Sequence, residues 1–203
     1  TLSYKLASMI EQWSDVYVLK VKGELNATDQ QVFSKLSHLM TLDLTETNIT
    51  SIGGCIELSR LRNVYLPVTV TTVENEAFYN CKSLYSMDLP ETTVIGNMSF
   101  YNCISLNSIN IPNVTAIDYY TFYHCTSLSS IDIHNVKSLS NDNFAIFAYC
   151  TNLSEVILSD ELTNIPESSF YNCTNLQEIE LPASLESIGN SAFSNCAFTN
   201  INI

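Results

Sequence analysis

The side chains in this sequence that could do chemistry are its carboxylates, its thiols and its three histidines. Glu178 and Glu180 stand two apart. Two carboxylates are the working pair of most glycoside hydrolases. Acids at i and i+2 are also ordinary on the outward face of a strand, and nothing around this pair implies a substrate cleft. His38, His124 and His134 fall in unrelated local contexts, and the five glycines form neither a phosphate-cradling loop nor a nucleophile elbow. The chain therefore reads as non-enzymatic, with no cofactor. Its seven cysteines contain no Cys-x-x-Cys, and no His-x-x-x-His accompanies them, so their spacing does not describe a metal site. The acids likewise lack the ligand-rich loop spacing of a calcium site. Two readings of the cysteines remain: disulfides of an oxidising compartment, or small buried thiols packed as core.

Their period favours the second. Cysteines at 81, 103, 125, 150, 173 and 196 each follow a phenylalanine by three places, at 78, 100, 122, 147, 170 and 193. A leucine follows three places later at 84, 106, 128, 153 and 176, and an aliphatic residue precedes most of the phenylalanines by five (Val73, Ile95, Ile117, Ile165, Ile188). The repeat is thus 22 or 23 residues long, with three residues inserted once, near 140–144. Cys55 lies outside this register and is expected to be the one accessible thiol.

Positioning falls to the strands that the repeat encodes. After each leucine comes a run such as Leu106-Asn107-Ser108-Ile109-Asn110-Ile111, whose apolar residues two apart share one face of an extended chain. Pro67, Pro90, Pro112 and Pro182 stop these runs, because proline cannot donate to a ladder. His134 and Ser159 take the proline position in two copies. Counting such runs gives nine strands, starting near 16, 39, 61, 84, 106, 128, 153, 176 and 198. One short repeat cannot bury its own apolar face, so neighbours must stack into a solenoid. The segment leading to each Phe-x-x-Cys returns along the other wall as a short extended piece and a tight 3₁₀-like turn. The phenylalanine file is core. Tyr79, Tyr101, Tyr123 and Tyr171, one place after it, are expected on the outer side, half-buried between coils.

The strand motif resembles that of leucine-rich repeats. The form Ala77-Phe78-x-x-Cys81-x-x-Leu84-x-x-Met87-x-Leu89-Pro90 is similar to the BspA-like, or treponemal-type, class, over residues 58–203 and more weakly upstream. The resemblance implies a mostly β, α/β-class solenoid: a right-handed superhelix with a parallel concave sheet and short 3₁₀ turns on the convex side. It also implies a surface or secreted adhesin of host-associated microbes.

On that fold the outward strand positions form two columns on the concave wall: Thr41, Asn63, Ser86, Ser108, Ser130, Glu155, Glu178 and Asn200 in one, and Asp43, Tyr65, Asp88, Asn110, Asp132, Ile157, Glu180 and Asn202 in the other. Asp43, Asp88, Asp132, Glu155, Glu178 and Glu180 read as carboxylates without basic neighbours. Like charges on adjacent strands are mildly destabilising, so they serve either recognition or solvation of an aggregation-resistant face. Tyr65 and Ile157 are the large apolar residues among them and the natural anchors for a ligand. The candidate ligand-binding set is Asp43, Tyr65, Asp88, Asn110, Asp132, Glu155, Ile157, Glu178 and Glu180.

Charge sharpens the choice of partner. Residues 1–82 carry seven Lys/Arg against nine Asp/Glu, whereas residues 83–203 carry twelve acids and the single base Lys137. Such a surface is repelled by phosphate backbones and anionic lipid and attracted to cationic surfaces. Nucleic acid is excluded. No run of about 18 apolar residues exists to insert into a membrane. Partners would be host or neighbouring-cell proteins or glycans; the alternative is a structural spacer within a larger surface protein, with no ligand of its own.

The N-terminal part, 1–38, reads as a cap in register with the repeats of 39–203. An amphipathic helix over 1–14 is followed by a strand at 16–21 and a second helix near 29–36, started by Thr28 or Asp29, with Val32, Phe33 and Leu36 inward. The opening residues do not read as a secretion signal, so the sequence is expected to start after a processed leader or at a boundary. The last run, 198–203, would present a bare parallel edge.

Overall fold

A computed structural model describes residues 15–139 and 144–198. The amphipathic helix assigned to 1–14, all but Phe144 of the insertion near 140–144 and all but Phe198 of the run ending at Ile203 lie outside the described residues.

The chain alternates between two walls of parallel strands. β1 (Val18–Gly23) leads through a short helix, α1 (Ala27–Gln30), and a 3₁₀ turn at Phe33–Lys35 to β2 (Thr41–Thr47) and β3 (Ser51–Ile52). From there each coil supplies one three-residue and one two-residue strand: β4 (Asn63–Tyr65) and β5 (Thr72–Val73), β6 (Ser86–Asp88) and β7 (Val94–Ile95), β8 (Ser108–Asn110) and β9 (Ala116–Ile117), β10 (Ser130–Asp132) and β11 (Ser138–Leu139), β12 (Glu155–Ile157) and β13 (Asn164–Ile165). β14 (Ser187–Ile188) is the last among the described residues. On the concave wall the ladders are β1-β2-β4, β6-β8 and β10-β12, all parallel. On the other wall β3, β5, β7, β9 and β11 form a continuous parallel sheet, and β13 pairs with β14. The return segments, read from sequence as short extended pieces, therefore make a sheet of their own.

Between the walls runs one core. Phe78, Phe100, Phe122, Phe147 and Phe170 are fully buried, and successive rings from Phe78 to Phe193 stack 5.3–5.4 Å apart and nearly parallel. Leu84, Leu106, Leu128, Leu153 and Leu176 are fully buried beside them. The turns carrying this file close with i→i−3 bonds such as Cys103 N to Phe100 O at 3.2 Å. They do not run on as helix, because the residues two before and two after the phenylalanine hold positive φ: Glu76 and Asn80, Met98 and Asn102, Tyr120 and His124, Ser168 and Asn172. Asparagine tolerates this left-handed region better than most residues, which explains its recurrence after the phenylalanine.

The run at 176–181 is not a hydrogen-bonded strand. In repeat register Glu178 would stand beside Glu155, and like charges directly opposite weaken a pairing. Leu176 nonetheless keeps its buried place, with Ile179 and Leu181 packed at the core margin. At the other end, α1 is capped by Asn26, not by Thr28 or Asp29. Asn26 Oδ1 accepts from Asp29 N at 2.9 Å and the Asp29 carboxylate accepts from Asn26 N at 3.1 Å, a capping box. The helix places Gln30, almost wholly buried, against the open edge of β3. Its amide donates to Ser51 O (3.0 Å) and accepts from Gly53 N (2.8 Å), pairing those edge groups as a strand would. Gly54 has no room for a Cβ there, which would collide with the Gln30 carbonyl.

Candidate functional site

Ladder register places the outward residues as neighbours. Asp43 stands opposite Tyr65, Asp88 opposite Asn110, and Asp132 opposite Ile157, while Ser130 faces Glu155. Six of the nine candidate residues thus lie in one column, with Glu155 in the column beside it. Glu178 and Glu180 are exposed but sit on the unladdered run that follows.

The carboxylates are not equivalent. Asp43 does have a basic neighbour, contrary to its sequence reading. Lys20 Nζ lies 3.0 Å from Asp43 Oδ2 and 2.8 Å from Glu46, and Lys22 reaches Glu46 at 2.7 Å. The cause is the parallel register of β1 on β2, which pairs Lys20 with Asp43 and Lys22 with Glu46 across 23 or 24 residues of chain. The Thr45 hydroxyl and amide donate to Asp43 Oδ1 at 2.6 and 3.0 Å, and with Lys20 they hold the Asp43 carboxyl down at about 2. Asp43 is committed to the fold's first strand pair. Asp88 Oδ1 accepts from Asn110 Nδ2 at 2.7 Å. Asp132 Oδ1 accepts from the His134 amide at 3.0 Å and contacts His134 Nδ1 at 2.7 Å. His134, in the proline position, therefore turns the chain back onto the carboxylate of its own strand.

Two apolar side chains break this polar column. Tyr65 is 52% and Ile157 45% exposed. Tyr65 also lines a hollow of about 190 Å³ with Pro67, Val68, Asp88, Pro90 and Glu91. A large ring, flanking prolines and two carboxylates at the rim of a sheet make a surface suited to a partner with an apolar anchor and a cationic group.

The thiols form a ladder. Cys103, Cys125, Cys150, Cys173 and Cys196 donate from Sγ to the carbonyl of the phenylalanine one coil earlier, at 3.1–3.2 Å. Cys81 donates to the Cys55 carbonyl at 2.9 Å. Cys55 is completely buried and stands in the phenylalanine file, so it is not the accessible thiol the sequence suggested. Its register was hidden because its coil carries Leu58 where later coils carry cysteine. Cys196 is the partly exposed member. Burial raises every one of these thiols, Cys81 to about 12 and Cys196 to about 11.

His124 continues a second ladder that sequence reading missed. Asn102 Nδ2 donates to Asn80 Oδ1 at 2.7 Å, and His124 Nδ1 meets Asn102 Oδ1 at 2.9 Å. The signal was the asparagine two places after four of the six phenylalanines, at 80, 102, 172 and 195. Among the described residues no group of three His, Cys, Asp or Glu could hold a metal ion, and no helix is long and apolar enough to cross a membrane.

This architecture matches known proteins. A model of the BspA-type leucine-rich-repeat region aligns in six copies, over residues 14–82, 54–146 and 143–203. A leucine-rich-repeat protein from Treponema pallidum is similar at 25% identity and a TM-score of 0.71, over 78% of this chain and 77% of that one. A leucine-rich-repeat protein from Eubacterium ventriosum is similar in fold at 24% identity and a TM-score of 0.61, over 90% of this chain. This chain spans only 44% of that protein's length. No curated protein matches. With six tandem copies reaching from residue 14 to the last residue, the chain belongs to the BspA-type leucine-rich-repeat family.

Proposed function

We propose that this chain is a non-enzymatic recognition module of a secreted or cell-surface protein, and that it binds a protein or glycan through its concave acidic wall. The observation that carries the reading is the exposure of Tyr65 and Ile157 in a column otherwise filled by Asp43, Asp88, Asn110 and Asp132. An exposed ring on a rigid sheet, beside a hollow edged by Asp88 and Glu91, offers an anchor with little ordering cost on binding. Asp88, Asp132, Glu155, Glu178 and Glu180 are exposed and have no lysine or arginine ion pair among the described residues. They would steer a basic partner to the wall.

Arrays of matrix proteins and glycans, probed with the purified chain, supply the ligand. The test is then a charge-reversal set at Asp88, Asp132, Glu155, Glu178 and Glu180, together with Tyr65→Ala. Affinity should fall by about tenfold or more, as for loss of an anchor residue. Binding that survives both changes unaltered would sink the concave-wall reading and leave the chain as a spacer.

A further inference from the structure

The tyrosine column changes character halfway along the solenoid. Tyr79, Tyr101 and Tyr123, each one place after its phenylalanine, stack flat: centroids are 4.9 and 4.8 Å apart, with planes inclined by 17° and 8°. The next coil has Ala148 at that place, so the ring that would continue the stack is missing. Tyr149, one residue on and at a φ of 63°, supplies a ring from the neighbouring position. It stands steeply to both flanking rings, 62° to Tyr123 at 5.3 Å and 68° to Tyr171 at 5.5 Å. Tyr120 stands at 73° to Tyr123, 5.4 Å away. Where a flat stack would leave only ring edges, these inclined rings line a cleft of about 390 Å³, shared with Ala148 and Glu167.

We infer that this cleft is a binding site for an alkylated ammonium group, such as the trimethylammonium of choline. Aromatic faces attract cations, most strongly where water is excluded, and rounded quaternary ammonium groups suit rings set at steep angles. Glu167 adds the single formal charge of the lining, and it is negative. From residue 83 onward the chain has twelve acids and one base, Lys137, which is engaged by Glu161 at 3.3 Å. That field favours a cation and disfavours any ligand that carries phosphate beside it. The cleft lies on the Phe-x-x-Cys turns, away from the concave strands, so it is independent of the recognition wall.

Ligand-observed NMR on the whole chain provides the test, with choline and tetramethylammonium as probes. The neutral isostere 3,3-dimethylbutanol and phosphocholine are the comparison ligands. The methyl protons of both cations should receive saturation from tyrosine ring protons, and dimethylbutanol should bind about tenfold more weakly or worse, as loss of the cation–π attraction requires. Glu167→Gln, at an exposed position that cannot disturb the core, should weaken choline several-fold without moving Tm. Tyr149→Leu should abolish the transfer. The assignment is overturned if neither cation binds at millimolar concentration, or if dimethylbutanol binds as well as choline. It is equally overturned if both variants leave choline binding intact. Phosphocholine binding as tightly as choline would overturn the exclusion of phosphate.

Discussion

Cys125 Sγ lies 3.1 Å from the carbonyl oxygen of Phe100, the buried residue one coil earlier. That oxygen already accepts from Cys103 N at 3.2 Å, so its two lone pairs serve two different coils. The thiol thus tells each coil where the previous one is, while filling a small apolar hole beside the phenylalanine file. Cys125→Ala removes the donor and opens a small void. We expect a loss of about 1–2 kcal/mol, read as a lower urea midpoint at unchanged m-value.

The same burial governs thiol reactivity. In native protein at pH 8, Cys196 should react first with a thiol reagent. The other six, Cys55 included, should react only as the chain unfolds. Stability should also fall above about pH 9, the ordinary thiol value. There the unfolded chain sheds protons that the folded chain keeps, Cys81 up to about 12. Rapid native labelling of Cys55 would contradict its place in the core.

Phe122 stacks between Phe100 and Phe147 at 5.4 and 5.3 Å. Phe122→Ala removes a ring from the middle of the file, where flanking coils cannot close the gap without breaking two parallel ladders. The expected cost is about 3–5 kcal/mol, visible as a cooperative drop in Tm. An unchanged melting temperature is incompatible with the stack.

Ser99 points the other way. Its hydroxyl is buried without a hydrogen-bond partner. At the equivalent place Thr121 donates to Asp118 O at 2.6 Å and Ser169 to Pro166 O at 2.8 Å. The acceptor corresponding to these, Gly96 O, takes no bond from Ser99; the Thr121 hydroxyl of the next coil lies 3.3 Å from it but gives its one proton to the nearer Asp118 O. Ser99→Ala should therefore be neutral or stabilising by up to about 1 kcal/mol, and calorimetry would show it. A marked loss would mean the hydroxyl has an acceptor after all.

Asp43 sets an acid limit. Its carboxyl titrates at about 2 in the folded chain against 3.8 ordinarily, through Thr45 first and Lys20 after it. A lowered folded value means the unfolded state binds more protons in this window. The contribution is complete above about pH 4 and is lost as pH falls to about 2. Denaturation measured across that range should be flatter for Asp43→Asn than for wild type, and the Asp43 side-chain resonance should titrate well below the ordinary 3.8.

The repeat itself was legible from residues alone. Phe, Cys and Leu at fixed offsets have one reading once a coil of 22 or 23 residues must bury its apolar face on a neighbour. So were the outward strand columns, since side chains alternate in an extended chain. Contacts between coils were not legible. The Lys20–Asp43 pair spans two strands whose register only the folded ladder sets. The assignment of Cys55 to the phenylalanine file depended on knowing that Leu58 had taken the cysteine place. Gln30 completing the edge of β3, and the tilt of Tyr149 against Tyr123 and Tyr171, likewise arise from distances across coils, which no local periodicity contains.

Sequence by itself determined that this is a stack of like coils with a phenylalanine interior and an acidic, base-poor second half, because burial and alternation are local consequences of residue type. Tertiary structure decided which acid is neutralised, which thiol meets solvent, and where a column of flat rings opens into a cleft. Those outcomes turn on a few ångströms between residues some 22 to 26 places apart in the chain.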